Sequence, residues 1–222
     1  AGAGNCDGNA TNGCETATAA NPSHCGVCGR ACATGEVCTA GTCRVPRPGW
    51  LTGVGGESDD EMLAVATDGE GNTFVAGLFR GTLRLSGMAP LVSEGSSDVV
   101  VLSLSTDGVT RWARRFGGPD ADVASAVGLD AAGNLYVGGS FAAMIDFGMG
   151  PVPAAGESDV FVASLTSAGA FRWSRTFGGD GPDAAFAVTV DAQGPYVAGT
   201  VRGRVDFGGG PTTGSPSAEA FV

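Results

Sequence analysis

Short runs that alternate between apolar and polar residues recur along most of this chain, and Gly, Asn or Asp residues separate them. In the middle of the chain these runs predict four strands, at Val123–Leu129, Leu135–Phe141, Asp159–Leu165 and Ala170–Phe177. Asp130-Ala-Ala-Gly-Asn134 separates the first two, and its residue types tolerate the positive φ angles of tight turns. The pattern therefore predicts antiparallel β-sheet.

The strand pattern occurs three times, with a period of about 61 residues. Each copy is marked by a Trp shortly before a glycine, by an Asp after the glycines, and by an acid before a later apolar run. Such a repeat is one supersecondary unit that needs its neighbours to bury its apolar face. The recurring residues are Trp50, Trp112 and Trp173, then Asp60, Asp122 and Asp183, and finally Asp98, Asp159 and Glu219.

Four short antiparallel strands per repeat are typical of a β-propeller blade, so we expect an all-β fold. The third copy supplies only three strands, at Ala184–Val190, Tyr196–Val201 and Glu219–Val222, whereas Trp50–Val54 corresponds to a fourth strand without the preceding three. Propellers use about 4–8 blades, so the ring in this chain is incomplete. We expect either further blades beyond Val222 or a contact between the open ends of two copies.

The cysteines all lie in the first 44 residues, a segment with too little apolar content to fold by core burial alone. We predict a separate module at residues 1–44, a Pro-rich linker at 45–49 and propeller repeats at 50–222. Disulfides would hold such a module in an exported protein, and the odd count leaves one cysteine unpaired within this chain. The cysteines are Cys6, Cys14, Cys25, Cys28, Cys32, Cys38 and Cys43.

Metal ligation is the alternative to disulfides in this module. Cys25, Cys28 and Cys32 have a spacing that suits zinc or an iron–sulfur cluster, with the adjacent His24 as a further ligand. Seven cysteines in a small Gly- and Asn-rich segment favour disulfides.

Calcium is a second candidate ligand. Asn5, Asp7 and Asn9 place oxygen-bearing side chains at alternate positions, as calcium loops do. An EF-hand needs Gly at its sixth position, and the two reading frames supply Ala10 and Asn12 instead. A turn beside a disulfide is the simpler interpretation, and we expect no cofactor.

Several motifs in fixed order resemble those of a known repeat family. They are Asp130-Ala-Ala-Gly-Asn-Leu-Tyr-Val-Gly-Gly-Ser-Phe141, Ile145-Asp-Phe-Gly148, Ser158-Asp-Val-Phe-Val162 and Trp173-x-Arg-x-Phe-Gly-Gly179. They look like the SBBP-type β-propeller repeats of exported bacterial proteins, and the resemblance covers residues 50–222. It implies a propeller fold.

A second resemblance concerns the cysteine-rich module. Asn12-Gly-Cys-Glu-Thr16 and His24-Cys-Gly-Val-Cys-Gly-Arg-Ala-Cys32 are similar to segments in Cys-rich modules of secreted myxobacterial proteins. This resemblance implies a lipoprotein or surface protein. We therefore expect an extracellular or outer-surface location, with a signal peptide that is cleaved or lies outside this numbering.

Charge and hydropathy exclude two classes of partner. The formal net charge is -11, and the arginines are scattered, so binding to a phosphate backbone is not expected. No stretch approaches the roughly 18 to 20 apolar residues that cross a bilayer as a helix.

Catalytic chemistry is poorly represented. The chain has one His and no Lys, and it contains neither Gly-x-Ser-x-Gly nor His-Glu-x-x-His. A residue that recurs in every blade usually serves the blade, so we expect the acids to bind backbone N–H groups and the Trp residues to pack between blades. The alternatives are cation binding by the acids and sugar stacking by the Trp residues. Glu61, Glu94 and Arg80 are polar residues that do not recur.

These observations favour an exported or cell-surface structural or adhesion-type protein. Its blades would contact a protein, a polysaccharide or another copy of the chain, without nucleic acid or a membrane span. The alternative is a secreted propeller enzyme, a glycoside hydrolase or a lyase, because that chemistry needs only two suitably placed carboxylates.

Overall fold

The computed structural model describes residues 3–4, 16–17, 20, 23, 25, 27–28, 30–34, 36–39, 41–44, 49–212 and 214–222. The chain divides into two compact units, Ala1–Trp50 and Leu51–Val222. In the described residues the strands pair only in antiparallel fashion and no helix forms, so the all-β prediction is confirmed. That part of the chain accordingly contains no helix that could cross a membrane.

The first unit is a small module tied by disulfides. Its described strands are β1 (Ala3–Gly4), β2 (Thr16–Ala17), β3 (Val37–Thr39) and β4 (Thr42–Arg44). Cys25 bonds to Cys38 and Cys32 bonds to Cys43, while Cys28 is also disulfide-bonded. Because Cys38 and Cys43 face each other across the β3–β4 hairpin, the two bridges anchor both of its strands.

The second unit begins with two four-stranded blades whose strands pair in chain order. Between the second and third strands of each blade, the chain forms a separate two-stranded hairpin, which we call the excursion hairpin. Blade 1 contains β5 (Glu61–Thr67), β6 (Thr73–Phe79), the excursion hairpin of β7 (Thr82–Leu83) and β8 (Leu91–Val92), β9 (Asp98–Leu104) and β10 (Thr110–Phe116). Blade 2 contains β11 (Asp122–Leu129), β12 (Leu135–Phe141), the excursion hairpin of β13 (Met144–Asp146) and β14 (Pro151–Pro153), β15 (Asp159–Leu165) and β16 (Phe171–Phe177).

Blade 3 has three strands in the described chain, and the three blades do not close a ring. Its strands are β17 (Ala184–Val190), β18 (Pro195–Gly203) and β19 (Ser215–Phe221). The first strands of the blades pack side by side, with β11 in contact with both β5 and β17.

The interpretation of Trp50–Val54 as a strand is wrong. The corresponding β10 forms a ladder with β9 of its own blade, whereas no strand of the described residues pairs with Trp50–Val54. The segment nevertheless docks as the end of a fourth strand does. Gly55 bridges Arg84 of blade 1, just as Gly117 bridges Asp146 of blade 2.

A β-bulge interrupts each first strand at the same place in the repeat, where the register shifts by one residue. The second strand carries a Gly beside each bulge, because a Cβ there would collide with a carbonyl oxygen of the first strand. The colliding pairs would be Gly77 with Glu61, Gly139 with Val123, and Gly199 with Ala184.

Trp112 lies in the largest apolar core, between blades 1 and 2, with 7% of its surface exposed. Its ring contacts Phe74 within blade 1, and its Nε1–H donates to the Ser167 carbonyl of blade 2 at 2.9 Å. Gly169 lies so close that a Cβ there would be 2.7 Å from the indole. Trp112 therefore fastens blade 1 to the β15–β16 hairpin of blade 2.

Replacement of Trp112 tests this contact. We expect Trp112→Ala to lower the free energy of unfolding by about 3–5 kcal/mol, because it empties a packed site and removes a hydrogen bond. Trp50→Ala is the matched control, since Trp50 is 38% exposed and should contribute far less. Urea unfolding measures both, and equal losses would contradict a special role for Trp112.

The disulfide framework predicts a specific thiol count. Alkylation followed by intact-mass measurement should modify one cysteine before reduction and all seven after it, because three bridges occupy six of them. Loss of one bridge in so small a module should cost about 2–5 kcal/mol. Stoichiometric zinc together with free thiols would contradict this framework.

Candidate functional site

The Asp that follows each pair of glycines closes the entrance to a blade, and we call Asp60, Asp122 and Asp183 the entrance aspartates. Each accepts a hydrogen bond from the backbone N–H of the glycine four residues before it. In blades 1 and 3 the second carboxylate oxygen also accepts a hydrogen bond, from the backbone N–H at the end of the second strand. The donors are Gly56, Gly118 and Gly179, at 2.6, 2.8 and 2.8 Å, and then Arg80 and Arg202, at 3.1 and 2.6 Å.

The acid at the start of the third strand is buried in blades 1 and 2, and we call Asp98 and Asp159 the junction aspartates. Each accepts backbone N–H groups from the loop that precedes its strand. The donors are Glu94 and Gly95 for Asp98, and Ala155 and Gly156 for Asp159.

The fold brings the two series together across the blade junctions. Asp98 and Asp122 both border Gly117 at the first junction, and the charge of Asp183 acts on Asp159 at the second. Each junction therefore contains two buried acids, which we call a carboxyl pair. Glycine makes the approach possible, because a Cβ on Gly117 would lie 2.7 Å from Asp98 Oδ2 and 2.9 Å from Asp122 Oδ2. Both oxygen atoms therefore border the space that a side chain at Gly117 would occupy.

The electrostatics of the first pair are uneven. Arg115 donates to Asp98 at 2.7 Å and to Glu94 at 2.8 Å, but burial still raises the pKa of Asp98. Burial raises the pKa of Asp122 to about 7, and the nearby charge of Asp98 contributes to the rise. Asp122 Oδ1 is fully buried without a hydrogen-bond partner among the described residues, because the N–H of Ala142 donates to a backbone carbonyl instead.

The second pair lacks an arginine like Arg115. Thr176 occupies the corresponding position in the repeat. Burial raises the pKa values of Asp159 and Asp183, while the Arg202 N–H and its charge oppose the rise at Asp183.

Glu219, which recurs in sequence with the junction aspartates, does not join a pair. It is exposed on β19 opposite Val201, and no entrance aspartate of the described residues faces it.

The turn between the first and second strands uses another recurring Asp. Asp68 accepts the backbone and side-chain N–H groups of Asn72, and Asp130 accepts those of Asn134. Burial alone would raise the pKa of Asp68, but these hydrogen bonds lower it below its usual value, and the same holds for Asp130. These carboxylates stabilise turns.

The three polar residues predicted not to recur do not form a constellation, and Arg80 does recur, as Arg202 of blade 3. Glu94 pairs with Arg115, Arg80 lies 3.7 Å from Asp59, and Glu61 is exposed at the start of β5. Sequence reasoning missed Arg115, because its charge occurs at this position in only one copy.

A cavity of about 360 Å³ opens at the junction of blades 1 and 2. Its walls combine three Phe side chains with charged groups, a mixture that is common in ligand sites. The charges are balanced, and two hydrogen bonds already hold Arg114 to the backbone of Ala113 and Gly169. The lining includes Glu94, Arg114, Arg115, Phe116, Asp146, Phe147 and Phe171.

Metal ligands come together at one place in the described residues, where the Sγ atoms of Cys25, Cys32 and Cys43 lie within 4.8 Å of one another. All three are engaged in disulfides, so they offer no thiolate in this state. The calcium candidates Asn5, Asp7 and Asn9, the predicted ligand His24, the cysteines Cys6 and Cys14, and linker residues 45–48 lie outside the described residues.

Replacement of the junction glycine tests the carboxyl pair. Gly117→Ala should lower the free energy of unfolding by about 1–3 kcal/mol, because the added methyl overlaps the Asp98 carboxyl group. Gly69→Ala is the control: its Cβ meets nothing within 4 Å, and Ala131 occupies the equivalent turn position in blade 2. Thermal unfolding compares them, and a neutral Gly117→Ala would mean that the acids do not pack as described.

One part of the chain matches a known family of repeats. A search of the curated proteins gave no match to the chain. A family model described as the SBBP β-propeller repeat matches residues 111–140, which run from β10 across the first junction to β12. The matched segment contains Trp112, Gly117 and Asp122. The chain therefore carries an SBBP-type β-propeller repeat behind an N-terminal module that disulfides hold together.

Proposed function

We propose that the chain is an exported, non-enzymatic interaction protein of the cell surface, in which the propeller blades carry contact loops for a protein, a polysaccharide or another copy of the chain. The observation that carries the proposal is a difference between two parts of the repeat. The recurring acids and Trp112 hold the blades together, whereas the excursion hairpins expose apolar side chains.

The exposed apolar residues of the excursion hairpins support a contact role. Met149 is 80% exposed and Val92 is 58% exposed, while the apolar core of the blades is buried. Exposed apolar side chains on connections that a packed scaffold positions suit a recognition surface.

The disulfides support export. Bridges such as Cys25–Cys38 persist in oxidising surroundings outside the cytosol. The net charge of -11 favours solubility there and disfavours nucleic acid as the partner.

The alternative, a secreted glycoside hydrolase or lyase, would need two carboxyl groups that reach a substrate. The acids of the two carboxyl pairs, Asp98 with Asp122 and Asp159 with Asp183, are at most 4% exposed and bind backbone N–H groups. Their burial favours the structural role over this chemistry.

A binding experiment tests the proposal. The purified chain is screened against an array of bacterial polysaccharides and against intact cells, and bound protein is quantified. Val92→Asp and Met149→Asp should each weaken binding by about tenfold or more, because a charge replaces an apolar contact. Val109→Asp is the control, since Val109 is similarly exposed, at 64%, but lies in the β9–β10 turn.

Two outcomes would contradict the proposal. One is an equal loss of binding in all three variants, which would mean that the hairpins have no special role. The other is turnover of an arrayed polysaccharide that Asp98→Asn or Asp122→Asn abolishes, which would establish the enzyme.

A further inference from the structure

Two ionisable pairs are buried where neighbouring blades meet. Asp98, Asp122 and Asp183 are 0% exposed, and Asp159 is 4% exposed. Ionised carboxylates are costly to bury without a cation, and two of them side by side repel each other. The fold accepts this cost at both junctions that it contains.

The pairs are fixed by the backbone on both sides. At the first junction the Asp122 N–H donates to the Ser97 carbonyl, and at the second the Asp183 N–H donates to the Ser158 carbonyl, each at 2.9 Å. Parallel bridges join the same segments, Ser97 with Ala121 and Ser158 with Pro182. The carboxyl groups cannot separate without disturbing the contact between blades.

The positive charge that faces the first pair can neutralise the charge of one carboxylate at most. Arg115 of β10 binds Asp98, but it also binds Glu94 of the preceding loop. Asp120, in the loop before β11, adds a further negative charge near Asp122. No cation among the described residues forms an ion pair with Asp122 itself.

The second pair is similarly short of positive charge. Arg202 of β18 reaches Asp183 through its backbone N–H and acts on it by charge at longer range. Thr176 of β16 stands where Arg115 stands in blade 1, so Asp159 has no ion-pair partner among the described residues.

We propose that the junctions between blades are pH-responsive: one carboxyl group of each pair holds a proton when the blades are packed, and loss of that proton loosens the junction. A protonated carboxyl group carries no charge, which removes the repulsion within the pair. The proposal concerns the contacts between neighbouring blades, and it does not depend on the proposed surface function.

The direction of the pH effect follows from the raised pKa values. The pKa of Asp122 is about 7 in the folded chain, against about 3.9 in an unfolded chain. The folded state therefore binds more protons between these values. The stabilisation that the proton provides is complete below about pH 4 and is lost as the pH rises through about 7. The pKa values of Asp98, Asp159 and Asp183 are raised too, so they act in the same direction.

Unfolding measured as a function of pH tests the inference. In the wild-type chain the urea concentration at the unfolding midpoint should decrease as the pH rises from 5.5 to 8. Asp122→Asn, which keeps the shape and cannot ionise, should remove at least half of that fall, and Asp183→Asn should remove part of the remainder. Asp60→Asn is the matched control, because Asp60 accepts the equivalent backbone N–H groups but is not paired with a buried acid in the described part of the chain.

A reciprocal pair of variants tests the role of the arginine. Thr176→Arg should supply the second junction with a cation and reduce the fall, whereas Arg115→Thr should increase it. Opposite signs for the two changes would not arise from a general loss of stability.

Hydrogen exchange gives a readout that does not depend on the variants. Protection factors at the Gly118 and Gly179 N–H groups, which donate to the entrance aspartates, should drop at least tenfold between pH 5.5 and 8 after correction for the intrinsic rate. The proposal is overturned if those factors stay constant, or if Asp122→Asn and Asp183→Asn retain the full fall of the wild type.

Discussion

A four-stranded blade is too thin to bury both of its faces, so its stability depends on close contact with the next blade. In this chain the closeness is set at one point, where Gly117 lies between the carboxyl groups of Asp98 and Asp122. A side chain at this glycine would hold the blades apart. The packing of Trp112 against Ser167 and Gly169 depends on the same separation.

The buried carboxyl groups satisfy a need of the backbone. Where the chain passes from one blade to the next, the N–H groups of Gly118 and Gly179 have no ladder partner, and an orphaned buried N–H is costly. An Asp accepts that bond and also reaches the end of the second strand, as Asp183 does with Arg202. Acidic side chains thus replace sheet hydrogen bonds at the sites where the sheet is interrupted.

The strands could be predicted from the sequence because alternation is a local property. The four strands of blade 2 appear within one residue of their predicted bounds. Exposure could not be predicted in this way: Trp112 is buried, Trp173 is half-buried and Trp50 is 38% exposed, although all three hold one repeat position. The cover over each ring comes from another part of the chain. The carboxyl pairs were missed for the same reason, since each joins acids of different repeats.

Each repeat contains both halves of a junction: it ends with the Trp and the glycines that one blade presents, and it begins with the Asp that the next blade supplies. Gly117 with Asp122 and Gly178 with Asp183 are examples. A gene duplication that copies one whole repeat would therefore create a new blade whose two sides already match its neighbours. Arrays of this kind can lengthen or shorten by recombination without any compensating mutation, so blade number can evolve faster than the interface that joins the blades.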